Sequence, residues 1–119
     1  MTAAAIGELA RRLLADILME PVEALAEVRT ILDPAMLAWR PERAVYEAAL
    51  ALADRGEPVT VGAVWGELLS RGEDPLFKGG MADLDGLANS LAAPIAAETV
   101  QIARKLADFA REWRARMSA

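Results

Sequence analysis

Apolar residues recur three and four positions apart along most of this chain, the spacing that gathers them on one face of an α-helix, and prolines and glycines cut the pattern into six segments. The spacing predicts a first helix over 3–19, with Ile6, Leu9, Leu13 and Ile17 in one stripe. Glu20-Pro21 interrupts it. Pro21 then opens a second helix over 21–32, burying Val22, Leu25 and Val28, until Asp33-Pro34 stops it. Met36, Leu37 and Trp39 fall in the connection that follows and serve as plugs for the core.

The next stretch, RPERAVYEAALALADRGEPVTVGAVWGELLSRG over 40–72, is punctuated at nearly every boundary. Pro41 stands in a first helical turn, Gly56 where a helix ends, Thr60 where the next is capped, and Gly72 where that one ends. The third helix, over 41–55, turns Val45, Ala48, Ala49 and Leu52 inward, with Arg43 and Glu47 an i,i+4 pair outside. The fourth, over 61–71, buries Val64, Leu68 and Trp65. A glycine-bounded polar loop over 72–80 follows, with Leu76 and Phe77 folding back over the core. The fifth helix, over 81–91, carries Leu84, Leu87, Ala88 and Leu91, and Pro94 introduces a sixth over 95–117.

That last helix holds the most regular pattern in the chain. Ala92, Ile95, Thr99, Ile102, Leu106, Phe109 and Trp113 are spaced alternately three and four apart, a heptad seam. A seam of this kind requires a long neighbour. The fifth helix spans about three turns, so it covers roughly half of a sixth helix of about 23 residues at about 1.5 Å per residue. The remainder, around Phe109 and Trp113, needs either the body of the domain or a second chain. An aromatic pair near a chain end favours the second chain.

Composition agrees with an all-α fold: of 119 residues 55% are hydrophobic, many of them alanine, and only 5% are aromatic, which suits close helix packing. The length allows one domain. No membrane-length apolar run is present, and the N-terminus has no basic segment ahead of an apolar one, so a soluble, unprocessed chain is expected. The net charge of -5 opposes a dedicated nucleic-acid binder. The charge is uneven, however. Residues 1–94 hold eight basic and fifteen acidic groups, whereas 95–119 hold Arg104, Lys105, Arg111, Arg114 and Arg116 against Glu98, Asp108 and Glu112.

Candidate chemistry is mostly excluded. Without histidine or cysteine the chain lacks the usual general base, thiolate nucleophile and metal ligands. The carboxylates Glu23 with Glu27, and Asp83 near Asp85, fit solvated helix faces. Ser70, Ser90 and Ser118 have no histidine to activate them, and Lys78-Gly79-Gly80 is too short for a phosphate-binding loop. No catalytic, cofactor or metal site is expected. A helix-turn-helix reading of 60–71 meets the objection that VGAVWGELLSR offers few side chains for phosphates or base edges.

In order and spacing the chain resembles the N-terminal domain of bacterial DnaB-family replicative helicases. The residues that carry the resemblance are Trp39 in the connection, then Arg40, Pro41, Arg43 and Tyr46 in an RP-x-R-x-x-[FY] helix start. Gly56, Pro58, Val59 and Thr60 follow in a G-x-P-[VI]-[DT] turn, then Leu68 and Gly72 in an L-x-x-x-G end, and Gly79-Gly80 in a loop before a helical hairpin. The chain departs from that pattern in ARRLLADIL near the end of the first helix, in a single Trp39 for a Phe-Tyr type pair, and in Glu42 where a histidine is common. The family's motor has no counterpart in these 119 residues, so ATP hydrolysis and unwinding do not carry over.

The resemblance implies a head over 1–80 and a hairpin over 81–117, pairing of hairpins between subunits, and a cytoplasmic role in DNA replication beside primase, helicase or helicase loader. On this reading the chain is a homodimer or higher homo-oligomer, with no membrane partner and no direct nucleic-acid contact. Leu84, Leu87, Leu91, Ile95, Ile102, Leu106, Phe109 and Trp113 then form the interface. The alternative is a stand-alone adaptor or regulator of a mobile element, acting as a docking protein or a helix-turn-helix-like DNA binder.

Overall fold

Proline and glycine set the element boundaries through local backbone chemistry. The structure, a computed structural model, describes residues 3–19, 21–89 and 96–118. These form six α-helices: α1 (Ala3–Met19), α2 (Pro21–Val28), α3 (Arg40–Asp54), α4 (Val61–Ser70), α5 (Met81–Asn89) and α6 (Ala96–Ser118). Short 3-10 turns, Pro34–Met36 and Asp74–Leu76, sit in the two longer connections, and no strand occurs among the described residues.

The turn between α3 and α4 follows the predicted punctuation closely. Gly56 takes φ 72°, its N–H donates to Ala53 O at 3.0 Å, and Glu57 N–H reaches back to Leu52 O at 2.9 Å. This pair of bonds satisfies carbonyls that the helix end would otherwise leave open. Gly72 repeats the device at φ 70°, with bonds to Leu69 O and, from Glu73, to Leu68 O. Thr60, in extended backbone, caps α4 by accepting from Ala63 N–H at 3.1 Å. Between the two helices, Arg55 bonds Glu67 Oε2 at 2.8 Å and Glu57 Oε2 at 3.1 Å, while Arg71 Nε donates to Glu67 Oε1 at 3.1 Å. These bonds, Arg55's first, hold the Glu67 carboxyl down at about 2.

α2 closes earlier than its apolar pattern predicts, at Val28. Thr30 and Ile31 tighten the chain into 3-10-type bonds to Glu27 O and Val28 O, and the Thr30 hydroxyl also donates to Glu27 O at 2.7 Å. β-branched residues and a hydroxyl that competes for backbone carbonyls favour this local unwinding. Asp33 then caps the 3-10 turn by accepting from Ala35 N–H at 2.9 Å. Arg43, expected beside Glu47, instead donates its Nε to Leu37 O at 2.8 Å, and Glu47 faces Arg71.

α1 is the hub. α2, α3, α5 and α6 all pack on it, so its burial spreads from the predicted stripe to almost its full circumference: Leu13, Leu14, Ala15, Asp16, Ile17 and Leu18 are all buried. Full burial of each large aliphatic side chain stabilises by about 1.5–3 kcal/mol relative to exposure. Tyr46 carries the core's phenol, donating to Leu32 O at 2.6 Å. Burial pushes that phenol far above its ordinary range, with Arg29 opposing and Asp33 adding to the shift. Leu76 and Phe77 fold back against the core as expected, Phe77 edge-on to Trp65 with ring centroids 6.3 Å apart.

Candidate functional site

α6 divides into a buried half and an outrunning half. Thr99, Ile102, Ala103, Leu106 and Ala107 are buried, and the helix packs on α1 and α2. α1 and α2, where the spacing alone suggests α5, therefore supply the long neighbour of the seam. A buried polar bond fixes this docking: the Thr99 hydroxyl donates to Asp16 Oδ2 in the middle of α1. A carboxylate in a core position needs such a donor to be tolerated there.

Past Leu106 the cover thins. Phe109 is half-buried, Trp113 is 54% exposed and Met117 72% exposed. The Phe109 and Trp113 rings stack at 6.3 Å and 19°. They form one wall of a groove of about 270 Å³, whose other wall is the connection before α3, with Met36 and Trp39. Trp39 leans over Gly7 of α1, its ring 3.8 Å from the place a Cβ would occupy. Two cations, Arg43 and Arg114, line this groove and no carboxylate does. The carboxylates of this part of α6, Asp108 and Glu112, lie on the opposite flank of Phe109 beside Lys105 and Arg116.

The sequence-predicted interface residues separate on this geometry. Leu84, Ile102 and Leu106 are core residues of the chain itself, 0%, 6% and 2% exposed, so a second chain cannot reach them in this conformation. Leu87 and Phe109 are half-buried and Trp113 is exposed, while Leu91 and Ile95 lie outside the described residues. The heptad pattern stops short of Met117, although that residue stands four positions beyond Trp113, and the reading of Trp39 as a core plug in the connection before α3 leaves out the groove it also lines. Arg114 carries no signal in the sequence beyond its charge, and Arg43 is marked there only by the RP-x-R-x-x-[FY] helix start and its spacing from Glu47. Among the described residues no three acidic, histidine or cysteine side chains come together to hold a metal ion, and no helix is long and apolar enough to cross a membrane.

Comparison with known proteins adds to this picture. Residues 5–108 match the family model described as the DnaB-like helicase N terminal domain. Among solved structures the chain is similar to the N-terminal domain of DnaB helicase from Mycobacterium tuberculosis, with 30% sequence identity and a TM-score of 0.76 over 86% of this chain and 68% of that one. A comparison with curated protein sequences gives no match.

Proposed function

We propose, because the chain belongs to the DnaB-like helicase N-terminal domain family, that it is a non-enzymatic assembly and protein-interaction module of DNA replication that pairs with a second copy through the α5–α6 region. The observation that supports this is the end of α6, where Trp113 stacks on Phe109 and stays half exposed while Met117 extends the same stripe. Large apolar side chains kept together in water at a helix end are costly unless something covers them. With Leu84, Ile102 and Leu106 taken up by the chain's own core, the contact falls to Phe109, Trp113 and Met117 on α6 and to the half-buried Leu87 on α5.

The module carries no chemistry of its own on this reading; its work is to hold copies together and to present a surface, in the cytoplasm, to primase, helicase or loader proteins. Sedimentation of the wild type and of Trp113→Glu/Met117→Glu tests the pairing, with circular dichroism to show that both are folded. A pull-down with purified primase and helicase tests the partners. A wild type that is monomeric at high micromolar concentration contradicts the pairing.

A further inference from the structure

The basic excess near the end of the chain collects on one flank of α6, where three grooves run end to end. The first is the groove beside Trp113, with Arg114 and Arg43. Met36 lines both this groove and a second one, which Arg111 enters from α6. Arg111 in turn lines both the second groove and a third, where Arg104 stands. The shared side chains make the three one channel. Its α6 wall, from Arg104 to Arg114, is about 15 Å long at about 1.5 Å per residue, and Thr30, Ile31 and Met36 belong to the facing wall.

Five arginines line this channel, Arg29 and Arg43 joining the three of α6, against the two carboxylates Asp33 and Asp108. Both carboxylates are engaged: Asp33 accepts from Ala35 N–H at 2.9 Å, and Asp108 pairs with Arg111 at 3.0 Å. Arg43 is aimed by the bond from its Nε to Leu37 O, and Arg104, Arg111 and Arg114 are exposed. A chain with a net charge of -5 therefore carries one positive face. Attraction for phosphates follows the local cluster of cations more than the sum over the chain.

At one end of the row stands the exposed Trp113 ring, backed by Phe109. A row of cations ending at an aromatic platform is the arrangement that binds an unpaired strand, the cations following its phosphates and the ring taking a base. An acidic amphipathic helix fits less well. It needs apolar anchors at every turn, and in the third groove the large apolar side chain is Ile31 alone.

We infer that this flank of α6 binds a short stretch of single-stranded DNA, with Arg104, Arg111, Arg114 and Arg43 on successive phosphates and a base on Trp113. The binding surface stands apart from the pairing proposed above, except that Trp113 serves both; the choice of DNA over RNA rests on the proposed role in replication. Few phosphates are met, so the binding is weak and falls steeply as salt rises.

The test is fluorescence anisotropy of a labelled oligothymidylate of about 12 nucleotides, titrated with the full chain at a series of salt concentrations. Four phosphate contacts give a slope of about -3 in log K against log salt. Arg104→Ser/Arg111→Ser weakens binding about tenfold or more and brings the slope to about -1.4. Trp113→Leu weakens it roughly tenfold with the slope unchanged, because stacking releases no counterions. Lys105→Ser/Arg116→Ser removes the same charge from the opposite flank, beyond Phe109, and leaves binding close to the wild type. Circular dichroism shows that each variant is folded, and sedimentation reads pairing separately, since Arg104 and Arg111 lie outside the Phe109, Trp113 and Met117 contact. No binding at about 20 mM salt, where phosphate contacts are strongest, or equal losses from the two charge pairs, overturns the inference and leaves the pairing standing. Polyglutamate that displaces the strand at equal charge overturns it in favour of an acidic protein segment, and tighter binding of oligouridylate overturns the choice of DNA.

Discussion

The Thr99 hydroxyl donates a hydrogen bond to the Asp16 carboxylate across 83 positions of sequence, and both side chains are buried. This bond ties the start of α6 to the middle of the central helix, and so decides which half of α6 enters the core and which half runs out beyond it. Removing the donor leaves a buried carboxylate without this partner. Thr99→Val should lower stability by about 1–3 kcal/mol, Thr99→Ser by much less, as measured by urea midpoints. Equal midpoints for Thr99→Val and the wild type would contradict this role.

The glycines separate by backbone conformation. Gly56 sits at φ 72° with nothing within 4 Å of the place a Cβ would occupy, so Gly56→Ala meets conformational strain and no clash. The expected cost is about 1 kcal/mol. Gly66, inside α4 and equally open, has helical backbone, and Gly66→Ala should stabilise by about 0.5–1 kcal/mol. Thermal midpoints that move in the same direction for both would refute the distinction.

Glu67 makes the α3–α4 junction sensitive to acid. Its carboxyl is held at about 2, first by the bond from Arg55 and then by that from Arg71, against an ordinary value of 4.5. A carboxyl with a depressed folded-state pKa contributes stability that is fully present above 4.5 and is lost as pH falls towards about 2. Glu67→Gln should be less stable than the wild type at neutral pH, with the difference shrinking through that window. A difference that stays constant across it would show that these bonds do not drive the acid response.

Much of the fold is legible because its signals are local. Gly56, Thr60 and Gly72 act on backbone groups within a few residues, so their roles follow from position alone. Tyr46 and Asp16 are different. Each is satisfied by a residue distant in sequence, Leu32 O and Thr99, and no periodicity reveals such a partner. The heptad seam is visible as spacing, yet spacing does not say which element covers it. α1 and α2 do so over Ile102 and Leu106, and this moves the candidate contact towards Phe109, Trp113 and Met117.

Whether the exposed end of α6 joins copies of the chain is decided by sedimentation equilibrium over a wide concentration range, comparing the wild type with Trp113→Glu/Met117→Glu. The proposed pairing predicts reversible, concentration-dependent association of the wild type and a folded monomer for the double variant. A wild type that remains a monomer at high micromolar concentration, or a double variant that associates as the wild type does, would contradict it.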